Sequence, residues 1–166
     1  HSINIATNVE TIGSYGLRAG SKARLHPSGD FVYSADNGLS PSDIRKWDIS
    51  TGTAVSLYDS PYHGDYGMCG DLWYNESGSR IFTRCGNSFS SDTTRSLDMR
   101  YTGKLALSTN STYNTSYGVV SLDHSAVRNE IAVIESSQPY GCGTGAPSDP
   151  CFTHLGTLDG DFLTQT

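Results

Sequence analysis

Leu25-His26-Pro27-Ser28-Gly29-Asp30-Phe31-Val32-Tyr33-Ser34-Ala35-Asp36-Asn37 is the stretch from which the fold is read. Pro-Ser-Gly supplies a turn, and Phe31-Val32-Tyr33 favours extended backbone, so the segment reads as a tight hairpin. The unit returns. Pro27-Ser28-Gly29-Asp30-Phe31-Val32-Tyr33 aligns with Glu76-Ser77-Gly78-Ser79-Arg80-Ile81-Phe82, and both align with Ala126-Val127-Arg128-Asn129-Glu130-Ile131-Ala132. The turn positions Gly29, Gly78 and Arg128 stand 49 and 50 residues apart. A second turn, Thr51-Gly52, Thr102-Gly103 and Asp159-Gly160, keeps nearly the same period, which marks an internal repeat.

Each unit reads as four strands. The first runs through 22–26, 31–35, 44–49 and 54–58, and the second through 71–74, 80–84, 95–98 and 104–108. The third runs through 119–122, 130–134, 152–155 and 161–165. A four-stranded unit of this length is a β-propeller blade, so the expected fold class is all-β. The expected organisation is one domain of 166 residues: an orphan outer strand and loop (1–16), then blades at 17–60, 61–110 and 111–166. The orphan strand, 2–9, falls where the outermost strand of a preceding blade belongs. Three blades do not close a ring, since propellers have about four or more. The open faces imply completion by a second copy, by another chain, or by the rest of a longer six- or seven-bladed propeller.

Composition agrees with this reading. Gly numbers 18 and Tyr 10, with Ser and Thr abundant, which suits short strands joined by turns. The net charge is −6 with only 11 Lys plus Arg and no basic run, which argues against nucleic-acid binding through phosphates. No segment approaches the roughly 20 apolar residues of a membrane helix.

Leu25 to Asp36, followed by Ile44-Arg45-Lys46-Trp47-Asp48-Ile49-Ser50-Thr51-Gly52, resembles a blade of the YVTN-type, lactonase-like propellers. That family repeats a Pro-Asp/Ser-Gly turn, a Val-Tyr strand and an Asp-x-x-Thr-Gly turn. The resemblance is good in the first unit, fair in the second and only topological in the third. It implies an architecture that many activities share.

By analogy with propellers, the loops entering each first strand open on the channel face. Those loops hold Tyr15 and Arg18, then Tyr62, His63, Asp65 and Tyr66, then Tyr117. Tyr rings with polar tips suit carbohydrate or protein contact, and they equally suit packing between blades. The leading expectation is a binding or scaffold module using Tyr15, Arg18, Tyr62, Tyr66 and Tyr117. The alternative is a lactonase- or lyase-like enzyme, in which His63 acts as general base and Asp65 orients it. Tyr62-His63-Gly64 resembles the Pro-His-Gly segment of some such enzymes, with Tyr62 in place of the proline. No Gly-x-Ser-x-Gly or phosphate loop is present, and no cofactor is expected. The Asp36–Asp43 loop lacks the alternating oxygen ligands of an EF-hand, so no metal is expected either.

Cys69 and Cys85 flank the Ser77-Gly78 turn symmetrically, so hairpin pairing sets them opposite one another. Cys142 and Cys151 bracket a Gly/Pro/Ser loop that a disulfide would close. Two disulfides imply an oxidising compartment, and the expected localisation is secreted or cell-surface. Three Asn-x-Ser/Thr sequons, at Asn75, Asn110 and Asn114, point the same way.

Overall fold

The computed structural model describes residues 2–13, 16–38, 42–110, 115–137 and 153–160. The described secondary structure is entirely β. A short hairpin, β1 (Ser2–Asn4) and β2 (Val9–Thr11), precedes a four-stranded antiparallel sheet of β3 (Lys22–Leu25), β4 (Phe31–Ala35), β5 (Ile44–Asp48) and β6 (Val55–Asp59). A second four-stranded sheet contains β7 (Leu72–Tyr74), β8 (Arg80–Thr83), β9 (Asn87–Ser90) and β10 (Tyr101–Lys104). A two-residue ribbon, β11 (Thr109–Asn110) with β12 (Thr115–Ser116), leads into the third sheet. That sheet holds β13 (Gly118–Ser125), β14 (Glu130–Ser136) and β15 (Thr153–Asp159).

Each sheet follows chain order, because every strand folds back on its predecessor. The repeated turn explains why. Gly29 and Gly78 adopt φ of 82° and 76°, and each donates its N–H to a carbonyl three residues earlier, His26 and Asn75, at 2.9 Å. Positive φ is costly for most side chains and open to glycine. The third unit has no glycine there. Asn129, one position after the expected Arg128, takes the left-handed conformation at φ 51°, which asparagine tolerates better than arginine.

Period-two alternation then sorts the side chains. In the first sheet Tyr33 pairs with Lys46 and Ala35 with Ile44, which places all four on one face. In the second, Leu72, Ile81 and Phe89 take one face, and Trp73 and Phe82 the other. The central sheet is therefore buried on both sides. Leu72, Ile81 and Phe89 pack with Tyr33, Ala35, Ile44, Met68 and Met99 between the first and second sheets. Trp73 and Phe82 pack with Leu122, Ile131, Val133 and Leu158 between the second and third. The first strands touch in sequence, β3 beside β7 and β7 beside β13. Backbone bonds from Lys22 N–H to the Gly70 carbonyl and from Val119 N–H to the Arg84 carbonyl, both 2.8 Å, tie neighbouring sheets.

Several expectations need correction. Residues 95–98 form no strand: Leu97 and Asp98 donate their N–H groups to the Thr94 carbonyl at 2.9 and 3.0 Å, closing a turn. The third strand lies earlier, at β9, where Phe89 is the single large apolar residue and fills the core. The fourth strand also moves upstream, to β10 instead of 104–108. Thr102-Gly103 is no turn; it lies inside β10, at a register shift between Tyr101 and Gly103. The orphan strand 2–9 is a hairpin, since Asn8 at φ 53° donates to the Asn4 carbonyl at 2.7 Å and reverses the chain. The third strand of the last unit extends to Asp159. The expected strand at 161–165 lies outside the described residues.

Candidate functional site

The loop 60–70 enters β7 and carries the densest group of aromatic and titratable residues. It is held firmly at its C-terminal end. Asn87 Nδ2 donates to the Gly67 carbonyl at 2.8 Å, and Met68 N–H donates to Ser42 Oγ at 3.1 Å. A disulfide joins Cys69 to Cys85 with Cα atoms 5.4 Å apart, as the hairpin symmetry predicts. Cys142 and Cys151 lie outside the described residues.

Tyr62 and Tyr66 form one aromatic cluster with Phe89 and Tyr101. Tyr66 stacks on Tyr101 with ring centroids 4.2 Å apart, and Tyr62 meets Tyr66 edge-on at 4.8 Å. The Tyr62 hydroxyl accepts the Tyr101 N–H at 2.9 Å. Both rings are half-buried, so packing takes part of each and leaves part on the rim. Burial and the neighbouring phenols push the Tyr66 hydroxyl pKa up. Tyr117 is buried, 5.5 Å from the His154 ring. Arg18 is exposed in the loop before β3, and Tyr15 lies outside the described residues.

His63 and Asp65 are both exposed. The contact between them is local: the Asp65 carboxylate accepts the backbone N–H of His63 at 3.0 Å. This bond shapes the turn and involves no ring nitrogen. Asp36 and Asp43 do not converge as ligands either. Asp43 accepts the N–H groups of Ile44 and Ser60, at 2.9 and 3.1 Å, and the Ser60 hydroxyl. Burial raises its pKa even so, and burial does the same at Asp36. No group of three His, Cys, Asp or Glu side chains among the described residues is placed to hold a metal.

Two further polar centres carry no local sequence signature. Where β3 meets β7, the buried Asp71 carboxylate receives Arg24 at 2.9 and 3.1 Å, Lys22 at 3.2 Å and Arg84 at 3.2 Å. The Arg24 guanidinium also lies 4.7 Å over the Trp73 ring. Burial pushes the Asp71 pKa up, but the Arg24 hydrogen bonds and charge, with the Leu72 N–H and Lys22, outweigh it and leave the pKa lowered.

The second centre joins the first sheet to the 91–99 segment of the second. Lys46 is 1% exposed and Asp98 0%, with Nζ 2.8 Å from Oδ2. Asp98 also accepts the Tyr33 and Tyr58 hydroxyls and the N–H groups of Asp92 and Met99. Lys46 donates further to the Asp92 carbonyl at 2.7 Å and lies 4.3 Å from the Phe31 ring centre. Burial and the Asp98 charge push the Tyr58 hydroxyl up to about 12. Strand alternation could have placed Lys46 inside, since it shares a face with Ile44. Nothing local marks Asp98 as its partner, 52 residues away.

No protein-family model matches the chain, and comparison with curated proteins and with solved structures finds no match.

Proposed function

We propose that the three sheets are consecutive blades of a β-propeller, and that the chain is an extracellular binding or scaffold module contacting carbohydrate or protein through its Tyr-bearing rim. The observation that carries this reading is the head-to-tail order of the stack. The Leu72/Ile81 face of the second sheet and the Leu122/Ile131 face of the third are equivalent by the repeat. Each is covered by the opposite face of the sheet before it. Contacts from β3 to β7 to β13 keep the first strands together at one edge, as in blades arranged around an axis.

The same order supports a partner. The equivalent face of the first sheet, at Ala23, Val32 and Trp47, borders a cavity of about 710 Å³ under Ile3, Ile12 and Leu17 of the N-terminal segment. At the other end, Ile134 and the paired Leu155 are 37% and 78% exposed. Head-to-tail interfaces continue until a ring closes. A further sheet of this kind, from a second copy, another chain or the rest of a longer propeller, fits both ends. The YVTN resemblance of the first unit agrees with that reading, and the Cys69–Cys85 bridge suits an oxidising compartment.

Light scattering on the native particle, with intact-mass identification of every chain, tests the arc. A particle containing more than this one three-sheet unit is expected; a well-behaved monomer of the 166 residues refutes it. Oligosaccharide and protein binding by Tyr66→Ala then tests the rim. Ligand affinity independent of Tyr66 removes that ring from the contact surface.

A further inference from the structure

We infer that a cavity between the first two sheets, beside their hairpin turns, holds one ring of a neutral saccharide. The site goes beyond the rim reading and does not rest on it, since among the described residues none from the 60–70 loop lines it. Three connections converge there. Turn 26–30 enters β4, turn 75–79 enters β8 and segment 91–93 leaves β9, and they enclose a cavity of about 300 Å³. That is the lower end of the roughly 300–1,000 Å³ of ligand pockets, so it admits a single ring and no longer chain. Hydrogen bonds between the sheets fix its walls. His26 Nδ1 accepts the Ser28 N–H at 3.1 Å, which leaves Nε2 to donate to the Gly78 carbonyl at 2.9 Å. The Ser91 hydroxyl donates to the Tyr33 hydroxyl at 3.1 Å, and Lys46 donates to the Asp92 carbonyl at 2.7 Å. A ligand therefore meets a shape that already exists, and its binding costs little in ordering the protein.

The chemistry of the lining selects the ligand class. Asp30 and Asp92 line the cavity and repel an anion. No free cation offsets them: Lys46, on the floor, has its charge met by Asp98 at 2.8 Å, and the Arg95 guanidinium lies 4.9 Å over the Tyr58 ring. The aromatic surface that would hold an organic cation is taken as well, because the Lys46 ammonium sits 4.3 Å from the Phe31 ring centre and 5.0 Å from that of Tyr33. An apolar body would cut both carboxylates and the hydroxyls of Ser28, Ser77 and Thr93 off from water without replacing its hydrogen bonds. A polyol satisfies all of them. The Asp30 carboxylate has no partner among the described residues, and Asp92 commits only Oδ1, to the Thr94 N–H at 2.6 Å. Both carboxylates are thus open to sugar hydroxyl donors, while the serine and threonine hydroxyls donate and accept. The half-buried Phe31 ring supplies the apolar wall that sugar C–H groups need.

Amide chemical shifts of the ¹⁵N-labelled full chain, titrated with the methyl glycosides of glucose, galactose and mannose, test the site. Saturable shifts at 28–31, 77–79 and 91–93 are expected with at least one of the three, at a Kd on the order of 1 mM for a single ring. Asp30→Asn and Thr93→Val alter exposed side chains, and the same spectra report that each variant folds. Both are expected to weaken binding, Asp30→Asn by about tenfold because it removes a charged acceptor. Glucuronate, which adds a carboxylate to the ring, and butylammonium, a cation without hydroxyls, are expected to bind more weakly than the best glycoside. Equal or tighter binding of either overturns the neutral polyol as ligand. Shifts confined to the 60–70 loop overturn the cavity and leave the rim reading standing. No shifts at about fifty times the expected Kd, or unchanged affinity in both variants, also overturn the cavity; the rim is decided separately by the Tyr66→Ala comparison.

Discussion

Replacing Lys46 by Met should destabilise the fold far more than an ordinary lysine substitution. Lys46 on β5 and Asp98 in the turn between β9 and β10 are 1% and 0% exposed, so the variant leaves a carboxylate in the interior without its cation. Breaking a buried pair in this way costs about 3–5 kcal/mol. The lower end applies here, because Asp98 keeps two tyrosine hydroxyls and two backbone N–H groups as donors. The Asp92 carbonyl also loses its Lys46 donor, while the methionine retains most of the packing against Phe31. The expected loss is therefore about 3 kcal/mol. With a urea m-value of about 2 kcal/mol/M, that moves the unfolding midpoint by about 1.5 M. Asp98→Asn tests the other half and should leave Lys46 as the uncompensated charge. In the double variant neither charge remains, so the two losses should fall short of additivity by about 2 kcal/mol. A Lys46→Met loss below about 1 kcal/mol, or strict additivity, refutes the reasoning.

Three further outcomes follow from the geometry. Gly29→Ala should cost about 1 kcal/mol, because its only penalty is positive φ; Gly78→Ala should cost at least about twice that, since its Cβ would lie 2.6 Å from His26 Nε2. Comparison of their urea midpoints checks the difference. Removing the Cys69–Cys85 bridge, which spans 16 positions, should cost about 3 kcal/mol, read as the urea-midpoint shift between the oxidised protein and an oxidised variant with Cys69→Ser and Cys85→Ser. Asp71 has a folded-state pKa below its ordinary value, so its stabilising contribution is present above about pH 4 and is lost as pH falls through the folded value. Asp71→Asn should flatten that part of the stability profile, and an unchanged acid slope in the variant contradicts the assignment.

The comparison of the first two units shows what a local pattern can and cannot carry. Around Gly29 and Gly78 the turn chemistry and the following apolar run agree, and β4 and β8 form where the repeat predicts. In the second half of the second unit they disagree. Asn87-Ser88-Phe89-Ser90 has little apolar content and nevertheless forms β9, because Phe89 completes the interior against Ile81 and Tyr101. Arg95–Asp98 has the polarity of a surface segment, and its turn exists to bring Asp98 to Lys46. The Cys69–Cys85 bridge is legible because both cysteines lie just beyond the β7–β8 ladder, which ends at Leu72 and Thr83 and keeps the flanking residues close.

The sequence by itself determined the all-β class, the tight hairpins and the strands of the first sheet. These depend on φ preferences and period-two alternation, which act between residues a few positions apart. Only the tertiary structure decided the two buried charge centres and the displaced strands of the second unit. A charge can be buried only where partners from other strands meet it, and those partners lie 47 to 52 residues away for Arg24–Asp71 and Lys46–Asp98. Stacking the sheets brings them together.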